Sequence, residues 1–197
     1  MKNVLIFLIS FIFLTISGCS NITFMKDSNF TSNVDQADTT GIKLIGASDF
    51  IVSDGSNSFR LDLPYKEFTY YKPEERSDNN YVGEVIADDY VYKTYMHKYP
   101  DFDIYVSNLN YNHKNRSFDE YYITQITLKN SNMKTSRGIT LGSKAVDVYN
   151  TYGSGEKTNV DGEENLSYKF EDMELLFVID KNQNVKELVL LIKSEIE

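Results

Sequence analysis

The sequence predicts an α+β fold: two divergent helix-plus-antiparallel-sheet repeats, strand-rich with short helices. Three observations predict it. Ala145, Val148, Tyr149 and Tyr152 fall at i, i+3, i+4 and i+7, which is one apolar helical face. Behind them, alternating or densely apolar runs at 166–170, 173–179 and 185–193 are separated by polar turns, as antiparallel strands are. An earlier stretch repeats that order with lower fidelity. With 197 residues, 41% of them hydrophobic and 14% aromatic, the chain is long enough to bury a core and too apolar to be disordered.

Residues 1–18 read as a signal peptide. Lys2 supplies a positive start, and residues 4–16 form an apolar run broken only by Ser10 and Thr15. That run makes a helix about 20 Å long, short of a ~30 Å hydrocarbon core, so a cleaved leader is favoured over a permanent span. Ile16-Ser17-Gly18-Cys19 closes it and resembles the lipobox of bacterial lipoprotein precursors. In that family the cysteine is acylated and becomes the first mature residue. The competing reading makes Cys19 a small apolar residue beside an ordinary cleavage site. Lipidation also accounts for the position of the chain's one cysteine, and two acyl chains give a stable anchor. It implies a protein anchored by lipid to the cell membrane on its extracytoplasmic face. Removing residues 1–18 takes away Lys2 and no acid, so the charge goes from −9 to −10.

The stretch 19–41 is rich in Ser, Asn, Thr and Asp, with no apolar period of 2 or 3.6, and reads as a flexible tether. Its reach is roughly 25 Å by the square-root rule for flexible linkers.

Residues 42–137 form the first repeat and 138–197 the second. In the second, Ser143 is the expected N-cap and Gly153 the expected helix stop. In the first, 59–63 matches 139–143 as a lead-in strand. Pro64 suits a first helical turn, and Phe68 and Tyr71 share a face before Lys72-Pro73 ends it. The runs 102–106 and 123–128 correspond to 173–177 and 185–190. Further strand-like runs at 81–86 and 90–96, and a polar excursion at 107–120, are additional.

Gly138-Ile139, Gly142-Ser143, Val148 and Tyr152-Gly153 resemble the helix-opening segment of the family that includes the β-lactamase inhibitory protein and the assembly lipoprotein BamE. The likeness covers about 60 residues. The chain also looks like lipoproteins of low-GC Gram-positive bacteria. The resemblance implies a helix before an antiparallel sheet in each repeat. No functional residue transfers from it, because Asp62 and Leu63 stand where the second copy has Gly142 and Ser143.

Chemistry is sparse. Gly153-Ser154-Gly155-Glu156-Lys157-Thr158 is not a phosphate loop, since Glu156 separates glycine from lysine and the segment follows a helix. Asp180-Lys181-Asn182-Gln183-Asn184 opens like a calcium loop, but Val185 and Leu191 stand where Gly and Glu are required, so a polar turn is expected. His97 and His113 have no neighbouring histidine. Glu74-Glu75, Asp88-Asp89 and Asp101/Asp103 are the paired carboxylates available for glycoside hydrolysis, and a solvated face is the plainer reading. One cysteine excludes a disulfide framework and a Cys-based metal site, and the acidic balance argues against nucleic acid. No cofactor, metal or nucleotide is expected.

Tyrosine is the unusual feature. Twelve of the 15 lie between Tyr65 and Tyr122. In Tyr90-Val91-Tyr92-Lys93-Thr94-Tyr95, the first two rings share one strand face and Tyr95 takes the other. Tyr90, Tyr92 and Tyr95 are the candidate binding face, against the alternative that they pack at a core edge. The functional expectation is a non-enzymatic, membrane-anchored module that binds or assembles with a protein, peptide or wall component. The alternative is an envelope hydrolase acting on wall polysaccharide or peptide.

Overall fold

The computed structural model describes residues 44–68, 80–87, 90–109 and 120–193, all within the unit Ala37–Glu197. In chain order the strands are β1 (Ile51–Ser53), β2 (Ser58–Arg60), β3 (Tyr81–Ala87), β4 (Tyr90–Lys98), β5 (Phe102–Ser107) and β6 (Tyr122–Leu128). They continue as β7 (Lys134–Thr135), β8 (Glu156–Val160), β9 (Glu163–Phe170), β10 (Met173–Ile179) and β11 (Val185–Ile192). The helix α1 (Ala145–Tyr152) lies between β7 and β8. Eight strands form one antiparallel sheet in the order β3-β4-β5-β6-β11-β10-β9-β8, and a small sheet has the order β2-β1-β7.

The pairing register is symmetric about the seam. β6 meets β11 with Ile126 opposite Leu190, Thr127 opposite Val189 and Gln125 opposite Leu191. Outward from there, β5, β4 and β3 mirror β10, β9 and β8. The lead-in to each half is tied down alike. Asp62 N–H donates to Ile123 O (2.9 Å), Ile123 N–H to Leu63 O (3.0 Å) and Tyr65 N–H to Tyr121 O (2.8 Å). In the second half Gly142 N–H donates to Val185 O (2.8 Å), Val185 N–H to Ser143 O (2.8 Å) and Ala145 N–H to Gln183 O (2.9 Å).

The helix does not recur among the described residues. The protein is mainly β, and α1 is the only α-helix among the described residues, so the expected α+β pair of helix-plus-sheet repeats is overturned. In the first half Tyr65–Glu67 forms a single 3-10 turn, and Phe68 leaves helical geometry at φ −73°, ψ 109°. That departure buries the Phe68 ring edge-on against Phe59 (5.2 Å), Tyr99 (5.6 Å) and Phe102 (6.3 Å). Aromatic burial of this size outweighs the few tenths of a kcal/mol of helix propensity at each residue. Tyr71 and Lys72-Pro73 lie outside the described residues.

α1 ends at Gly153, whose φ of 86° and N–H bond to Tyr149 O (2.9 Å) make the stop. Its start differs from expectation: Lys144 is the N-cap, and Ser143 Oγ instead accepts from Thr140 N–H at 3.1 Å. The expected loop after Gly153 is also partly strand, since β8 begins at Glu156 and pairs with β9 through a left-handed Asp161-Gly162 turn.

One apolar core joins the elements. Phe50, Val52, Phe59 and Phe68 from the first lead-in, with Ala145, Val148 and Tyr152 of α1, cluster with Ile104, Ile126, Leu175, Phe177, Leu188 and Leu190 of the large sheet. The strand period of 2 sends these residues to one face. Among the described residues, no helix is long and apolar enough to cross a membrane.

Candidate binding surface

The β3–β4 hairpin owes its position to the point where β5 stops. β5 pairs with β4 only from Thr94 to Lys98, while β3 follows β4 out to the Ala87–Tyr90 pair. The Asn108 side chain then stands in for a strand: its Oδ1 accepts Lys93 N–H (2.8 Å) and its Nδ2 donates to Val91 O (3.3 Å). Ser107 Oγ adds a bond to Lys93 O at 2.9 Å. Beyond this point the ribbon extends past the body of the sheet, and its outer strand is the edge of the sheet among the described residues.

A two-stranded ribbon cannot bury both of its faces. Val82 and Val85 are about half exposed and Ile86 is 71% exposed, with Tyr81 and Tyr90 also open to solvent. Val85 faces Tyr92 across the pair, and Ile86 faces Val91, so apolar side chains stand on both faces. A register shift between Tyr81 and Gly83 leaves Val82 as an extra, outward residue, while 84–87 runs regularly. Desolvation, then the hydrogen-bonded Glu84 carboxylate, pushes the Tyr81 phenol up.

The three candidate tyrosines do not form one surface. Tyr90 is 39% exposed near the hairpin end, whereas Tyr92, on the same strand face, is only 7% exposed. Tyr95 is half-buried on the other face, edge-on to Tyr81 (5.7 Å) and Tyr121 (5.6 Å). Tyr90 alone among them joins the exposed patch. The patch residues that tyrosine counting misses are Val82, Val85 and Ile86. Their signal was present: apolar residues at both odd and even positions of a short strand cannot all face one core. Cys19 lies outside the described residues.

The other candidates fill structural roles or lie outside the described residues. His97 is buried, stacked on the Tyr65 ring at 4.6 Å, with Nδ1 3.2 Å from Asn80 Nδ2. Asp101 accepts from Asn130 Nδ2 (2.7 Å) and Asn132 Nδ2 (2.8 Å), and Asp103 lies 3.3 Å from Lys129 Nζ. Asp180 serves its own turn, with Oδ1 accepting Asn182 and Asn184 N–H, and these bonds, foremost that from Asn184, hold its carboxyl below the usual range. Glu74-Glu75, Asp88-Asp89 and His113 lie outside the described residues. No cluster of three metal-ligating side chains occurs among the described residues.

A cavity of about 410 Å³ opens beside the β9–β10 turn, lined among others by Phe50, Arg60, Asp62, Glu171, Asp172 and Met173. Arg60 Nη1 is engaged with Leu61 O at 3.0 Å, and no histidine is among the lining residues. Asp62, Glu171 and Asp172 bring three carboxylates to the lining, together with the Ser48 hydroxyl.

No family model and no curated protein sequence matches the chain. Among solved structures it is similar to a cysteine-rich secretory protein from Staphylococcus aureus, at 15% identity and a TM-score of 0.40. The likeness covers 68% of this chain and 44% of that one, so the chain spans less than half the length of that protein.

Proposed function

We propose that the chain is a lipid-anchored cell-envelope protein, tethered through Cys19 on the extracytoplasmic face, whose folded body is a non-enzymatic binding or assembly module. The β3–β4 hairpin carries this reading. Val82, Val85, Ile86 and Tyr90 are exposed together at a sheet edge, where a soluble domain normally shows charge. The lipobox-like segment Ile16–Cys19 and the polar stretch behind it support the anchor and the tether.

Two experiments test it. A photocrosslinking amino acid in place of Ile86, irradiated in native membranes, is expected to give a discrete adduct that mass spectrometry identifies. The same probe at Lys181, on an exposed turn of β10–β11, is expected to give none. Equal yields at the two positions would remove the hairpin as the binding surface. Cys19→Ala is expected to move the protein out of the membrane fraction, and retention there would remove the lipid anchor.

A further inference from the structure

We infer that the β3 edge takes an extended, apolar segment of another protein with basic flanks, added as a further strand. This rests on the hairpin being the binding surface, and specifies the partner and its mode. Along an edge strand, every second backbone N–H and C=O points away from the sheet. β3 is such an edge among the described residues, and past the bulge at Val82 its run 84–87 is regular enough to be paired. A strand laid beside it would set side chains against Val85 on one face and Ile86 on the other. Affinity would come from the backbone ladder, and selectivity from those two apolar contacts.

Charge decides between a second copy and another protein. Residues 81–92 hold acidic residues and no basic one, and the nearest base, Lys93, stands opposite Glu84 across the β3–β4 pair. The chain as a whole carries −9. Joining two β3 edges with their single charges in register would set Glu84 against Glu84, and like charges directly opposite are destabilising. A segment with lysine or arginine at its ends meets the opposite situation, and is steered towards the edge at low salt.

The probe is a synthetic nonapeptide of alternating valine and threonine with two lysines at each end, titrated against the full chain in detergent. Binding is read by fluorescence anisotropy, and amide shifts locate it. Saturable binding with shifts concentrated in β3 is expected. A peptide with proline at its centre, which removes a ladder N–H, is expected to bind at least about tenfold more weakly, a loss of about 1.4 kcal/mol. Glutamate in place of the lysines is expected to weaken it by a similar factor, as is Ile86→Lys in the protein.

Equal binding of the proline peptide overturns strand addition, and equal binding of the glutamate peptide overturns the charge preference. Concentration-dependent dimerisation abolished by Ile86→Lys, without peptide binding, makes a second copy the occupant and overturns the inference. A discrete Ile86 crosslink without peptide binding rejects only the mode of recognition. Loss of that crosslink as well rejects the binding surface itself.

Discussion

The Arg137 guanidinium grips the buried Asp49 carboxylate with two nitrogens, Nε to Oδ1 at 2.6 Å and Nη2 to Oδ2 at 2.8 Å. The same guanidinium donates to Thr151 O near the C-terminal end of α1 (2.9 Å) and to Leu44 O (2.9 Å), and lies 4.8 Å from the centre of the Tyr152 ring. One side chain thus ties the start of the described fold to its helix. The cation also sits where the helix dipole favours it.

Truncating either partner leaves a buried charge without its counter-ion. Arg137→Ala is expected to cost about 3–5 kcal/mol in urea unfolding. Arg137→Lys should recover little, because an ammonium cannot form the fork or reach both carbonyls. The paired replacement Asp49→Leu with Arg137→Met should cost clearly less than the two single changes added together. An additive result would show that the ion pair is not what couples these elements.

The two lead-ins make a prediction about glycine. Asp62 and Gly142 occupy matching positions with φ of 62° and 83°. A Cβ on Gly142 meets nothing within 4 Å, so Gly142→Ala is expected to cost only the left-handed backbone penalty, about 1–2 kcal/mol. Gly142→Asn should cost less, as Asn visits that region more readily. Gly155→Ala should cost more than Gly142→Ala. There a Cβ would lie 2.8 Å from Tyr168 Cζ and 3.1 Å from Ser167 O, disturbing the Tyr168 hydroxyl bond to Gly153 O. Chemical denaturation of the three variants gives the ranking, and a reversed order would count against this account.

Legibility in the sequence followed burial. β10 and β11 were readable because Leu175, Phe177, Leu188 and Leu190 are core residues in dense apolar runs. β8 is not legible, because all five of its residues are exposed and no hydrophobic period marks it. β1 and β7 have three and two residues, too few to show a period. The first-half helix failed because Phe68 gains more from joining an aromatic cluster than from extending a turn. The unequal exposure of the candidate tyrosines is hidden from the sequence for a related reason. Alternation assigns Tyr90 and Tyr92 to one side of β4 but cannot tell that one ring is covered and the other open.

Alkaline pH should weaken the α1 packing in a defined window. Burial, as the largest cause, pushes the Tyr152 phenol up to about 12, against about 10 for a solvated tyrosine. Between pH ~10 and ~12 the unfolded chain therefore binds fewer protons than the folded one, and stability falls as pH rises. Below pH ~10 the contribution is fully present. The loss across the window is about 2–3 kcal/mol. Tyr152→Phe keeps the ring but gives up the hydroxyl bond to Thr135 Oγ1 (2.8 Å), so it should be less stable at neutral pH and show a flatter alkaline slope. Burial also raises Tyr168, which should leave some slope. Urea midpoints on either side of pH 10 check this, and identical slopes for the two proteins would refute the assignment to Tyr152.

Hairpin residues and core residues on the same two strands should separate cleanly. Val85 and Tyr92 are cross-strand partners, yet Val85 is about half exposed and Tyr92 is buried. Val85→Ser and Ile86→Ser remove apolar surface that folding does not bury fully, so stability should change by no more than about 0.5 kcal/mol. Tyr92→Ala removes a buried ring and is expected to cost about 3–5 kcal/mol. The ordering should invert for function, with Ile86→Ser depleting the native-membrane crosslink from a neighbouring probe at Val82 while leaving the unfolding midpoint in place. If Ile86→Ser instead lowers the midpoint as far as Tyr92→Ala does, Ile86 is part of the packing, and the exposed patch is no longer a surface kept for a partner.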